Sequence, residues 1–151
     1  MHNPLVYSWY EQYRTGIYRF ALSILKDPQL AEDVLQETFL RILSGRGAPE
    51  PGKEQAFLYR VARNICYDTL RKRKREAAES PNAPAPAPYS WEFMDLIAPL
   101  SQTEQEIISL KIIGGLTHRE IARVMGLTTT GAKKRYERAI AKLREEMEVS
   151  L

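Results

Sequence analysis

The chain has 151 residues, a formal net charge of +3 and a mean hydropathy of −0.40, enough for one domain or two small ones. Its single cysteine, Cys66, excludes an intrachain disulfide. No signal peptide and no apolar run near the roughly 18 residues of a membrane span are present, so a cytoplasmic protein without membrane insertion is expected.

The first predicted helix runs from about Pro4 to Lys26, with Tyr10, Tyr13, Ile17, Phe20, Ala21 and Ile24 recurring on one side. Asp27-Pro28 ends it and starts the next, Asp27 as N-cap and Pro28 at the first helical position. The second helix places Ala31, Val34, Leu35, Thr38, Phe39 and Ile42 at core spacing. Asp33, Gln36, Glu37 and Leu40 lie on its other side. Two carboxylates, an amide and an exposed leucine suit either a solvated face or a docking surface for a basic partner.

Residues 44–55, "SGRGAPEPGKEQ", read as a loop long enough to suggest function or disorder. A third helix starts near Glu54. Its buried stripe is expected to be Phe57, Leu58, Val61, Ala62, Ile65, Cys66, Thr69 and Leu70. The opposite face is expected to show Tyr59, Arg60, Arg63, Asn64, Tyr67 and Arg71. Guanidinium groups bind phosphates, an amide can read a base edge, and tyrosines offer stacking surfaces to unpaired bases. Basic and aromatic residues interleaved on one face point to DNA, and to single strands in particular.

Residues 80–90, "SPNAPAPAPYS", alternate Ala and Pro, which favours extended polyproline II over helix or central strand. The predicted organisation is therefore a helical domain over 1–76, a Pro/Ala-rich linker over 77–90 and a second helical domain over 91–151. Neither half shows strand alternation, so the fold class is all-α.

The C-terminal domain carries a helix-turn-helix. Thr117 stands three residues before Glu120, the signature of a capping box. Ile121, Ala122, Val124 and Met125 make the short helix apolar on one side, and Gly126 ends it where the chain needs positive φ. Thr128 or Thr129 then caps a helix bearing Lys133, Lys134, Arg135 and Arg138. Such a pair presents its second helix to a DNA major groove.

Charge distribution agrees. Residues 60–75 hold Arg60, Arg63, Arg71, Lys72, Arg73, Lys74 and Arg75 against Asp68 alone. Residues 119–144 hold Arg119, Arg123, Lys133, Lys134, Arg135, Arg138, Lys142 and Arg144 against Glu120 and Glu137. Two basic segments on a nearly balanced chain suggest two contacts with a polyanion. His2 and His118 lack metal-ligand spacing, and neither metal nor cofactor is expected. Asp33 and Glu37 lie one helical turn apart with no evident third ligand, so a metal-dependent nucleic-acid enzyme is the weaker reading.

"DPQLAEDVLQETFLRIL", then "AFLYRVARNICYDTLRKRKRE", then the helix-turn-helix, together resemble a sigma factor of bacterial RNA polymerase. The type resembled is the extracytoplasmic-function (ECF) group, which keeps regions 2 and 4 only. The resemblance covers nearly the whole chain outside the linker. It implies a non-enzymatic factor that binds core polymerase and directs promoter recognition, DNA melting and transcription initiation. Asp33, Gln36, Glu37 and Leu40 would then face the β′ clamp helices. Tyr59, Arg60, Arg63, Asn64, Tyr67 and Arg71 would act at the downstream promoter element and in melting. Thr128, Thr129, Lys133, Lys134, Arg135 and Arg138 would read the upstream element, with the C-terminal domain also touching the β flap. The family often adds an anti-sigma protein as a further partner. The alternative kept in view is a stand-alone helix-turn-helix regulator. One departure stands out: "TGAKKR" occupies the position of the usual "GTVKSR", and a mid-helix glycine such as Gly131 costs about 1 kcal/mol relative to alanine.

Overall fold

A computed structural model describes residues 4–45, 47–82, 84 and 91–150, with side chains placed through Glu148. These residues form helices only: α1 Pro4–Leu25, α2 Pro28–Leu43, α3 Glu54–Glu79, α4 Glu92–Ile97, α5 Gln102–Ile112, α6 His118–Met125 and α7 Thr129–Ser150. They divide into two compact units, Met1–Tyr89 and Ser90–Leu151.

In the first unit α1, α2 and α3 all pack on one another. The α1–α2 corner follows from local chemistry. Lys26 takes φ +56, closing α1, and its N–H donates to the Leu22 carbonyl at 2.8 Å. One Asp27 carboxylate oxygen then accepts the Gln29 N–H at 3.0 Å and the Leu30 N–H at 3.2 Å. Two donors that the helix itself cannot satisfy are thereby paired. Every core position expected on α2 is buried: Ala31, Val34, Leu35, Thr38, Phe39 and Ile42. Thr38 is tolerated inside because its hydroxyl donates to the Val34 carbonyl at 2.7 Å. Tyr10 of α1 meets Phe39 edge-on, centroids 5.1 Å apart, which sets the two helices in register.

The α3 stripe departs from expectation. Ala56, Leu58, Tyr59, Ala62, Ile65 and Cys66 are buried, while Phe57, Val61, Thr69 and Leu70 are only half-buried. Helices α1 and α2 both pack on α3, and its buried arc is rotated toward Tyr59. Helix α3 also runs on to Glu79, through the residues assigned to the start of the linker. The Ala-Pro stretch itself falls mostly on residues 83 and 85–90, outside the described residues.

The second unit is built around Ile97, Leu100, Ile108, Ala139 and Leu143, with Phe93, Tyr136 and Ile140 packed against them. Burying one such aliphatic side chain is worth about 2 kcal/mol. Two capping boxes start its inner helices. At α5 the Ser101 hydroxyl accepts the Glu104 N–H at 3.3 Å, and the Glu104 carboxylate accepts the Ser101 N–H at 3.0 Å. At α6 Thr117 and Glu120 repeat the exchange at 3.2 and 3.0 Å. The Thr117 box was expected. The Ser101 box carries the same S-x-x-E signature, and it and the short α4 are additions to the expected elements.

Candidate nucleic-acid and partner interface

The turn between α6 and α7 aims the basic helix. Gly126 sits at φ +69, ψ +36, and its N–H bonds back to Ala122. The following Leu127 N–H also donates to the Ala122 carbonyl, at 2.9 Å. A side chain at 126 would strain this left-handed residue. Ala132 and Ala139 are fully buried, so α7 lies close on its neighbours along one side. Lys133, Lys134, Arg135 and Arg138 are exposed on the other. Tyr136, half-buried, contacts the His118 ring at a centroid distance of 5.3 Å, tying α7 to the first turn of α6.

Of the two threonines considered as caps, Thr128 serves. Its hydroxyl oxygen accepts the Gly131 N–H at 2.9 Å, and its carbonyl accepts the Ala132 N–H at 2.9 Å. Thr129 opens the helix and is exposed. The unusual Gly131 has a local reason: a β-carbon there would lie 2.9 Å from the Thr128 hydroxyl oxygen.

His118 is a feature that charge and spacing did not flag. Its Nδ1 is buried without a hydrogen-bond partner, and Lys111 and Lys133 stand near. Burial, then those two cations, lower its affinity for a proton, with Glu137 opposing. Lys142 Nζ reaches Glu104 Oε1 at 2.9 Å. Burial alone would raise the Glu104 pKa; hydrogen bonds from Lys142 and Ser101 outweigh it and hold the carboxyl below its ordinary range.

In the first unit Asp33, Gln36 and Leu40 are exposed and Glu37 is half-buried. Gln29 Nε2 donates to Asp33 Oδ1 at 3.2 Å, and Arg41 Nε pairs with Glu37 Oε1 at 3.1 Å. The carboxylates are thus held outward by neighbours on their own helix, in exposed pairs that add little stability. Asp33 and Glu37 also border an open cleft of about 330 Å³ that they share with Lys72, Arg73 and Glu76 of α3. Leu43 continues the exposed apolar line begun by Leu40, 52% and 57% accessible respectively; its i+3 spacing from Leu40 was the available signal.

The α3 face needs one correction. Tyr59, expected as a DNA-stacking residue, is a core residue at 1% exposure. Its ring lies 5.5 Å from that of Phe20, and burial pushes its hydroxyl pKa up. Both ring faces are enclosed by the helices, so Tyr59 cannot stack on a base. Arg60, Asn64 and Arg71 are exposed, and Arg63 and Tyr67 are half-buried. Arg63, Asn64, Tyr67, Asp68 and Arg71 line one open cavity of about 360 Å³. Within it the Arg63 guanidinium lies over the Tyr67 ring, 4.8 Å from its centroid, and Arg71 pairs with Asp68.

Among the described residues no group of three or more His, Cys, Asp or Glu side chains could hold a metal. No helix among them is long and apolar enough to cross a membrane.

A three-helix unit with a basic-aromatic face, and a helix-turn-helix unit with a basic second helix, define a DNA-binding protein of transcription. Residues 9–76 match the model of Sigma-70 region 2, and residues 90–143 match that of Sigma-70, region 4. The chain is 30% identical over 147 residues to the ECF RNA polymerase sigma factor SigM of Bacillus subtilis, covering 89% of this chain and 90% of that protein. It is 30% identical over 138 residues to the RNA polymerase sigma factor CarQ of Myxococcus xanthus, covering 83% and 79%. The sigma factor RpoE of Bartonella quintana, solved in complex with the anti-sigma factor NepR, superposes with a TM-score of 0.77 at 26% identity, covering 96% and 98%. The chain belongs to the extracytoplasmic-function group of RNA polymerase sigma factors.

Proposed function

We propose that this sigma factor docks on core polymerase through the outward face of α2, opens the downstream promoter element with α3 and reads the upstream element with α7. The carrying observation is the separation of two cationic surfaces onto two helical units, with a polar acidic face beside the first. Asp33, Gln36, Glu37 and Leu40 supply the docking face. It suits a basic partner, since its carboxylates are oriented but solvent-accessible. Arg60, Arg63, Asn64, Tyr67 and Arg71 meet the opened strand. Thr129, Lys133, Lys134, Arg135 and Arg138 meet the upstream duplex, and Thr128 acts there by capping α7. The polymerase makes the RNA; this chain contributes binding and strand opening and no reaction of its own.

Each basic patch can neutralise only a few phosphates. Such contacts give weak, salt-sensitive binding, on the order of 10⁻⁴ to 10⁻⁶ M. Docking of both units on polymerase would fix their separation and join two weak contacts into one contact of set promoter spacing. An anti-sigma partner, as in the solved relative, would act by covering these surfaces.

The deciding experiment is in vitro transcription from a genomic promoter library by core polymerase, with and without this protein. Promoter-specific transcripts that require the protein are expected. Nanomolar, sequence-specific duplex binding by the protein alone, with no gain from polymerase, would favour the stand-alone regulator.

A further inference from the structure

Five consecutive cations, Arg71, Lys72, Arg73, Lys74 and Arg75, lie on α3. Successive helical residues stand about 100° apart, so the five sweep more than a full turn and cannot share one face. The fold divides them. Arg71, Lys74 and Arg75 line an open cavity of about 630 Å³ with Asp68 and Ala78. Lys72 and Arg73 instead line the cleft of about 330 Å³ between α3 and α2, with Glu76 on the same helix face. Asp33 and Glu37 line it from α2, and the buried Val34 and Ile65 give it an apolar wall. Opposite charges therefore border one cleft without joining across it. Asp33 accepts from Gln29 and Glu37 pairs with Arg41, both on α2. Lys72, exposed, and Arg73, half-buried, form no ion pair with the described residues.

From this arrangement we propose that the polymerase-docking face continues from α2 across the cleft onto Lys72 and Arg73. It takes a polymerase segment of mixed charge: a cation for Asp33 and Glu37, and beside it a carboxylate for Lys72 and Arg73. The proposal rests on the reading that α2 docks on core polymerase, and it names the chemistry of the segment that docks. Continuity with the α2 face and charge complementarity single out that occupant. A segment basic throughout would meet two cations at the edge of its site, and juxtaposed like charges weaken binding. A partner carboxylate turns the same two cations into contacts. A segment seated against the apolar wall also excludes water, and charge pairs strengthen as water leaves. A face acidic on α2 and basic on α3 further fixes which way round the segment lies. Lys74 and Arg75, on the other cavity, stay available to DNA phosphates.

The test is a fluorescence titration of the full chain with core polymerase at low ionic strength, where exposed charges are least screened. Lys72→Gln/Arg73→Gln should bind core on the order of tenfold more weakly, the effect of losing two exposed charge pairs. The sign of the change is decisive. A segment basic throughout would bind this variant more tightly than wild type, because a repulsion has gone, and that result overturns the proposal. Unchanged affinity overturns it too. Lys74→Gln/Arg75→Gln removes as much charge from the same helix and should bind core like wild type. An equal loss there would trace the effect to net charge and overturn the proposal. Lys72→Arg/Arg73→Lys keeps both charges and should retain core affinity; a loss as large as that of the glutamine variant overturns the charge assignment. A promoter fork added to core saturated with each protein separates a DNA role. Lys72→Gln/Arg73→Gln should retain the fork, and loss of the fork with core affinity unchanged would make the pair DNA contacts. The docking reading is tested apart, by Asp33→Ala/Gln36→Ala. If that variant binds core like wild type, both readings fall. If it is weakened and Lys72→Gln/Arg73→Gln is not, only the extension onto α3 falls.

Discussion

Thr128 and Gly131 form one structural unit at the start of α7. The Thr128 hydroxyl oxygen accepts the Gly131 N–H at 2.9 Å, and a β-carbon on residue 131 would meet that same oxygen at 2.9 Å. The cap and the glycine therefore depend on each other. Gly131→Ala should not deliver the usual gain of about 1 kcal/mol for replacing a helical glycine, because the methyl displaces a cap of similar worth. Thr128→Ala should cost about 1 kcal/mol. In the Thr128→Ala background, however, Gly131→Ala should stabilise by about 1 kcal/mol. A double-mutant cycle by urea denaturation measures this coupling; strictly additive changes would refute the account.

Acid should loosen the second unit in two steps. His118 has its folded pKa lowered, chiefly by burial and then by Lys111 and Lys133, from an ordinary 6.5. The unfolded chain then binds the proton more tightly, so the stability present above pH 6.5 is lost as pH falls below it. Glu104 is likewise depressed from 4.5, its bonds to Lys142 and Ser101 overcoming burial. Its contribution is present above pH 4.5 and lost as pH falls through the lower folded value. His118→Phe, which keeps a ring against Tyr136, should flatten the upper part of the stability–pH curve. Lys142→Met should flatten the lower part. Denaturant midpoints at a series of pH values provide the check, and an unchanged upper slope in His118→Phe contradicts the first assignment.

Tyr59 and Asn64 should separate stability from DNA opening. Tyr59→Ala removes a buried ring and should destabilise the first unit by about 3–5 kcal/mol. Asn64→Ala, at an exposed position, should change stability by less than about 0.5 kcal/mol. In a permanganate footprint with polymerase, Asn64→Ala should lose the melted region while the upstream contact of α7 survives. A Tyr59→Ala protein as stable as wild type would show that the ring is not core.

Replacing Asp33 and Gln36 together with alanine should weaken binding to core polymerase while the thermal transition stays put, since both are exposed. Loss of Asp33 also removes only an exposed bond from Gln29. Equal binding of wild type and the double variant in a fluorescence titration would remove α2 as the docking face.

Lys26 takes a left-handed conformation, φ +56, at the close of α1. A side chain there costs on the order of 1 kcal/mol that glycine avoids. Lys26→Gly should accordingly be neutral to stabilising, by up to about 1 kcal/mol, whereas Lys26→Val should destabilise. Thermal unfolding of the two variants distinguishes this from an ordinary surface lysine, for which valine and glycine would rank the other way.

Much of this protein is local, and local features are legible in a sequence. Helix periodicity picked out every buried residue of α2, because that helix shows one face to its neighbours. Asp27, Thr117 and Gly126 announce their caps and turns, and the α7 cap narrows to Thr128 or Thr129, because a cap is a contact within four residues. The Ser101–Glu104 box is a local signal of the same kind. Tyr59, by contrast, belongs by spacing to the Arg-Asn-Tyr face of α3. Its burial came from Phe20, thirty-nine positions earlier in the chain, where α1 packs on that side of α3. The bridge from Lys142 to Glu104 likewise spans thirty-eight positions, joining α7 to α5. Sequence by itself determined the three helices of the first unit and the helix-turn-helix with its capping box and glycine turn, since these follow from neighbours along the chain. Tertiary structure decided which aromatic rings are buried, because burial depends on how the helices surround a residue, and no periodicity contains that arrangement.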